Sequence, residues 1–156
     1  LERGRDEGRV CAGGEEASEV ILVDANVLMY AAGAAHRLKR PSADLLDRIA
    51  RGEVEAGIDA EILQEILHRY RALRRWEQGR QLYDLTRALF PGVLPVTAEV
   101  LDEARRLLDE RPEASARDAV HAAACRVYDA EAICSWVMPW VFMKRSTGIG
   151  NMLGGP

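Results

Sequence analysis

Ile21-Leu22-Val23-Asp24 constrains the fold more than any other stretch of this chain. An aliphatic, partly β-branched run suits a strand covered on both faces, as in a parallel sheet. Asp24 closes that strand. Open α/β sheets build their sites beyond the carboxyl ends of their strands. A carboxylate buried there requires a compensating cation or donor, and a metal ion is an economical partner.

Strand and helix signals alternate along the rest of the middle region. The spacing predicts a helix from Pro41 to about Ala50, with Ser42 as N-cap and Gly52 as its stop. Val54 to Ile58 reads as a second strand. Asp59 then caps a helix from Glu61 to about Trp76, whose residues Ile62, Leu63, Ile66, Leu67, Tyr70 and Leu73 share one face. A further helix runs from about Glu77 to Phe90 and is broken by Pro91-Gly92. Val93 to Val96 gives a third strand, and Thr97 caps a helix to about Glu110. Ser115 caps an Ala-rich helix from Arg117 to about Asp129, and Glu131 to Ser135 gives the last strand. Strands separated by helices imply crossover connections, hence an α/β domain with a parallel sheet and helices on both faces.

Bulk properties exclude several classes. A chain of 156 residues suits a single domain with a real core. The net charge of −4 argues against a generic nucleic-acid glue while leaving room for a local basic patch. Cys11, Cys125 and Cys134 are widely spaced, without a C-x-x-C pair, as expected of thiols in a reducing compartment. No apolar run reaches the ~18 residues of a membrane span, and no signal peptide is visible. These features point to a cytoplasmic location.

The two ends differ from the middle. Residues 1–19 are charged, Gly-rich and aperiodic, and read as a disordered leader. Val20 precedes the first strand, and valine is what a GTG start codon gives in read-through, so the natural domain is expected to begin there; the alternative is that residues 1–19 are a genuine flexible arm. From Trp136 to Pro156 no acid occurs, and two of the three tryptophans fall within Trp136 to Met143. A shifted reading frame would produce such a change, so residues 136–156 are set apart as an atypical tail.

Three acids stand out. Glu61, Glu65 and His68 form one stripe opposite the apolar face of their helix, which taken alone reads as solvated. Asp118 follows Ser115 at a capping-box-like spacing and is favoured there by the helix dipole. Yet Asp24 ends a strand and Asp118 begins the helix leading into the last one, and a doubly wound sheet can bring those positions to one edge.

Three segments taken in order, Ile21 to Tyr30, Glu61 to Tyr70 and Ser115 to Ala123, resemble the PIN domain, and most of all its VapC-like toxins. The resemblance spans about Val20 to Ser135. It implies a Rossmann-like sheet and a ribonuclease dependent on Mg²⁺ or Mn²⁺, the toxin of a type II toxin–antitoxin pair. Its partners would be an RNA substrate, a cognate antitoxin and a second copy of the chain. Asp24, Glu65 and Asp118 match the family's first three acids, Asn26 the polar residue after the first, and Ser135 the hydroxyl residue ending the last strand. In that role Asp24 and Asp118 would ligate the ion directly, and Glu65 would hold metal-bound water or a second ion. The match then fails. Where the family continues with one or two aspartates, this chain has Trp136-Val137-Met138-Pro139, so the fourth acid is absent and weaker metal binding is expected.

Carboxylates suit this chemistry because Mg²⁺ prefers oxygen ligands and retains several waters. The bound ion acidifies water, aligns it with a phosphodiester and neutralises charge on the leaving oxygen. Crowding of the three acids in one pocket should raise at least one carboxylate pKa. Arg69, Arg71, Arg74 and Arg75, with Arg80 and Arg87 beyond them, could grip phosphates without reading sequence. Alternatively they form a solvated face. His36, His68 and His121 read as surface or packing residues. Two other classes remain open. One is a catalytically dead PIN-like protein that only binds antitoxin or RNA. The other is a di-iron carboxylate bundle, suggested by Glu65-x-x-His68 and Asp118-x-x-His121 and opposed by the strand signals.

Overall fold

The computed structural model describes residues 20–136; the leader 1–19 with Cys11, and the tail positions from Val137 onward, lie outside that range. Among the described residues four strands, β1 (Ile21–Val23), β2 (Ala56–Asp59), β3 (Val93–Leu94) and β4 (Ala132–Cys134), form one parallel sheet in the order β3-β2-β1-β4. Among the described residues six helices, α1 (Ala25–Ala32), α2 (Lys39–Ala50), α3 (Ala60–Ala72), α4 (Trp76–Leu89), α5 (Ala98–Glu110) and α6 (Ala116–Val127), connect and cover it. The sheet excludes an all-helical bundle.

The pleat sorts the core into two layers, because successive strand side chains point to opposite faces. Ile21, Val23, Ala132 and Cys134 pack with Val27 and Leu28 of α1, Ile62 and Ile66 of α3, and Leu82 of α4. Leu22 and Ile133 face the other way, onto Val100, Ala104 and Leu107 of α5 and the alanines of α6. Leu22 and Ile133 are each 1% exposed, and full burial of such a side chain contributes about 1.5–3 kcal/mol. Small residues on α6 (Ala119, Ala122, Ala123) bring that helix close to the sheet. Cys125 and Cys134 are free and buried, and burial pushes their thiols up to about 12 and about 11. They behave as small apolar fillers, not as nucleophiles.

The connections determine where a site can form. From β1 to β2 to β3 the chain steps along one side of the sheet; it then crosses to pair β4 with the opposite edge of β1. The strand order reverses at β1/β4, and the carboxyl ends of strands at such a switch point frame a crevice.

Local details depart from the sequence-based expectations in instructive ways. Helix α1 begins directly after β1, where the sequence reading assigned none, because Asp24 is its N-cap and accepts the Asn26 amide at 3.4 Å. Ser42 is not an N-cap. Helix α2 starts at Lys39, which places Pro41 in the first turn, where its missing N–H costs nothing. The Ser42 amide already donates to the Leu38 carbonyl, and its buried hydroxyl accepts from the Trp136 indole at 2.9 Å. Trp136 is therefore held against the domain. The caps at Asp59, Thr97 and Ser115 form as expected. Strand β3 stops at Leu94, since Pro95 has no amide to continue the ladder.

Candidate active site

Asp24 stands at the end of β1, 8% exposed. Its geometry is set by Asn26, the second residue of α1. The Asn26 side-chain amide donates to Asp24 Oδ2 at 2.5 Å and to Ser135 Oγ at 2.8 Å, while its Oδ1 accepts the Trp136 amide at 3.2 Å. One carboxamide thus ties the first acid to the end of β4, across the switch point.

Glu65 reaches the same place from the middle of α3. Its side chain is only 16% exposed, so it is not part of a solvated stripe; His68, one turn on, is exposed. Arg117 of α6 donates to Glu65 at 2.7 Å and lies 3.9 Å from Glu61. The Glu65 pKa is raised, chiefly by burial; Arg117 opposes the shift, and the nearby charges of Asp24 and Glu61 add to it. Like-charge crowding therefore operates as expected but is secondary to loss of water.

The sequence reading did not place His121 here. It lies one turn beyond Asp118 on α6 and is 1% exposed. Its Nδ1 is 2.7 Å from Oδ2 of Asp59, which is itself fully buried. The other oxygen of Asp59 caps α3 through the Ile62 amide at 3.1 Å. Burial alone would lower the His121 pKa; hydrogen bonding to Asp59 and its charge, with Asp24 and Glu65 beyond, outweigh this and raise it. One ligand atom from each of Asp24, Glu65 and His121 lies within 4.8 Å of the others.

These three side chains line a cavity of about 420 Å³ together with Asn26, Asp118, Arg69, Arg75 and Arg117. Asp118 thus shares the pocket with Asp24 while standing outside the close group of Asp24, Glu65 and His121. Tyr30, Tyr70, Met29 and Leu73 supply its apolar wall. The other arginines are placed elsewhere: Arg71 stacks 5.7 Å over the Trp76 ring, Arg80 pairs with Glu77 at 2.7 Å, and Arg87 donates to the carbonyls of Phe90 and Pro91. Arg74 adopts φ 56° in the α3–α4 turn. The donor set, two carboxylates and one imidazole in a pocket that also holds Asp118 and three arginines, fits a divalent cation.

A family model described as PIN domain matches residues 21–135. The chain is 37% identical over 117 residues to VapC ribonuclease Mb1869c of Mycobacterium bovis, covering 75% of this chain and 89% of that protein. Ribonuclease VapC13 of Mycobacterium tuberculosis matches to the same extent. Ribonuclease VapC23 of Mycobacterium tuberculosis is 35% identical over 107 residues, covering 69% of this chain and 84% of that protein. No solved structure matches the chain.

Proposed function

This chain belongs to the PIN domain family and is VapC-like, and from that premise we propose that it is a metal-dependent endoribonuclease, the toxin of a type II toxin–antitoxin pair. The observation that carries the proposal is the convergence of Asp24 and Glu65, from separate elements, beside arginines at the switch point of the sheet. Two acids this close are costly without a cation, and a basic rim suits a polyanion.

Mg²⁺ or Mn²⁺ would be held by Asp24 and Glu65, with Asp118 as a further carboxylate in the pocket, and would supply an activated water and charge neutralisation at the phosphodiester. Asn26 orients the Asp24 carboxylate and fixes the β1–β4 spacing through Ser135. Arg69 and Arg75 offer sequence-independent contacts to the RNA backbone. Arg117, paired with Glu65, keeps the pocket from accumulating uncompensated negative charge. A cognate antitoxin is the expected protein partner, in the cytoplasm where the RNA is; no helix among the described residues is long and apolar enough to cross a membrane. The absent fourth acid favours a second reading, a degenerate toxin that binds antitoxin without cutting.

The test uses the purified full chain, labelled RNA and either Mg²⁺ or Mn²⁺. Weak cleavage is expected, lost with a chelator and in Asp24→Asn, and increased by Val137→Asp. Cleavage that persists in Asp24→Asn, or without divalent metal, sinks the assignment. Absence of cleavage in both the natural and the Val137→Asp chains supports the degenerate toxin.

A further inference from the structure

We propose that Nε2 of His121 is a nitrogen ligand of the ion held at Asp24 and Glu65, so that this pocket selects a transition metal over Mg²⁺. The inference rests on the metal pocket proposed above and specifies its ion.

Three observations carry it. First, His121 is fixed in the tautomer a ligand needs. Asp59 is fully buried and its carboxylate can only accept, so Nδ1 keeps its proton at the 2.7 Å contact and Nε2 is the nitrogen open to an ion, which takes the place of any proton there. A carboxylate behind an imidazole is the arrangement that orients metal-ligating histidines and raises their basicity. Second, Nε2 is buried with no hydrogen-bond partner among the described residues. Orphaned buried nitrogens are costly and rare in folded proteins, and this one belongs to a side chain that lines the acidic pocket. Third, the ligand atoms of Asp24, Glu65 and His121 lie within 4.8 Å of one another. Ligands about 2.1 Å from a shared ion stand up to roughly 4.2 Å apart, so small side-chain shifts close the group on one ion.

The consequence concerns ion choice. Mg²⁺ takes oxygen ligands in a strict octahedron. Imidazole nitrogen favours first-row transition metals, with affinity rising from Mn²⁺ to Co²⁺. Two carboxylates and one imidazole should therefore hold Co²⁺ more tightly than Mn²⁺, and Mn²⁺ more tightly than Mg²⁺.

The experiment uses the chelator-treated full chain. Calorimetric titrations with MnCl₂, CoCl₂ and MgCl₂ are run on the natural protein, His121→Gln, Asp59→Asn and Asp24→Asn. Pulsed electron paramagnetic resonance of the Mn²⁺-loaded natural protein looks for coupling to an imidazole ¹⁴N. The coupling should be present. His121→Gln should abolish it and weaken Mn²⁺ and Co²⁺ binding by about 10–100-fold, with little change for Mg²⁺. Asp59→Asn should act in the same direction, because its carboxamide can donate to Nδ1 and move the ring proton to Nε2. Bound Mn²⁺ without ¹⁴N coupling overturns the proposal, and needs no variant to fold. So does His121→Gln that binds Mn²⁺ as tightly as the natural chain, or more tightly. If Asp24→Asn loses Mn²⁺ while His121→Gln does not, only the role of His121 fails. If Asp24→Asn binds Mn²⁺ unchanged, or no variant binds it at millimolar concentration, the metal pocket itself fails.

Discussion

The Asp59–His121 pair should couple β2 to α6 strongly enough to be measured in a double-mutant cycle of the metal-free protein. Asp59 does two jobs at once. Its Oδ1 caps α3 at 3.1 Å and its Oδ2 holds His121 at 2.7 Å, both inside the core. Asp59→Ala removes the cap, at about 1 kcal/mol, and strands a buried imidazole nitrogen, at about 1–3 kcal/mol. The single change should thus cost about 2–4 kcal/mol, a large part of a typical total of about 5–15 kcal/mol. His121→Leu leaves Asp59 Oδ2 buried and unpaired at a similar cost. In the double variant neither group is stranded and the cap loss cancels from the cycle, so the two stranding costs of about 1–3 kcal/mol each add to a coupling of about 2–6 kcal/mol. The sign with pH is fixed by the raised His121 pKa. Folding favours the protonated ring, so this stabilisation is fully present below the unfolded value of about 6.5 and is lost as pH rises through the folded one. Urea melts near about pH 6 and about pH 9, with chelator present, measure both quantities. A coupling below about 0.5 kcal/mol, or one that grows toward alkaline pH, refutes the buried pair as drawn.

Gly79→Ala should destabilise the fold by about 1–3 kcal/mol despite the better helix propensity of alanine. A Cβ there would collide with Tyr70 Cβ and sit 2.9 Å from Tyr70 Cγ, where α4 crosses α3; a urea midpoint at or above the natural one would refute the close approach. Arg69→Gln and Arg75→Gln, made in the Asp24→Asn background, should each weaken single-stranded RNA binding and reduce the log–log salt slope by about 0.7. Arg80→Gln should leave that slope unchanged, since Arg80 is held by Glu77 away from the pocket. Equal effects at all three positions would assign the affinity to general charge.

Most of the strand–helix order was legible because it is written locally. Ile21 to Val23 must be a covered strand, and Asp59, Thr97 and Ser115 are caps whose side chains act within three residues of themselves. Helix α1 escaped notice because its cap, Asp24, carries two roles; an acid read only as a site residue conceals the helix it starts. Ser42 misled for the converse reason. A hydroxyl after proline looks like a cap, and only its distance to Trp136, 94 positions away, reveals its use.

The three acids could be named from their segments, but the shape of the site could not, because it depends on which residues the crossover at β1/β4 brings face to face. Asp118-x-x-His121 was visible as a helical pair. Nothing local indicates that Asp118 stands toward the pocket wall while His121 turns inward onto Asp59, 62 positions earlier. That long-range contact separates a packing histidine from one with a prepared lone pair. Asp59 reads as a helix cap, and the cap is real; its second oxygen carries the further consequence. A residue fully satisfied by a local role can still prepare the chemistry of a distant one. In this chain the carboxylate that caps α3 also holds Nδ1 of His121.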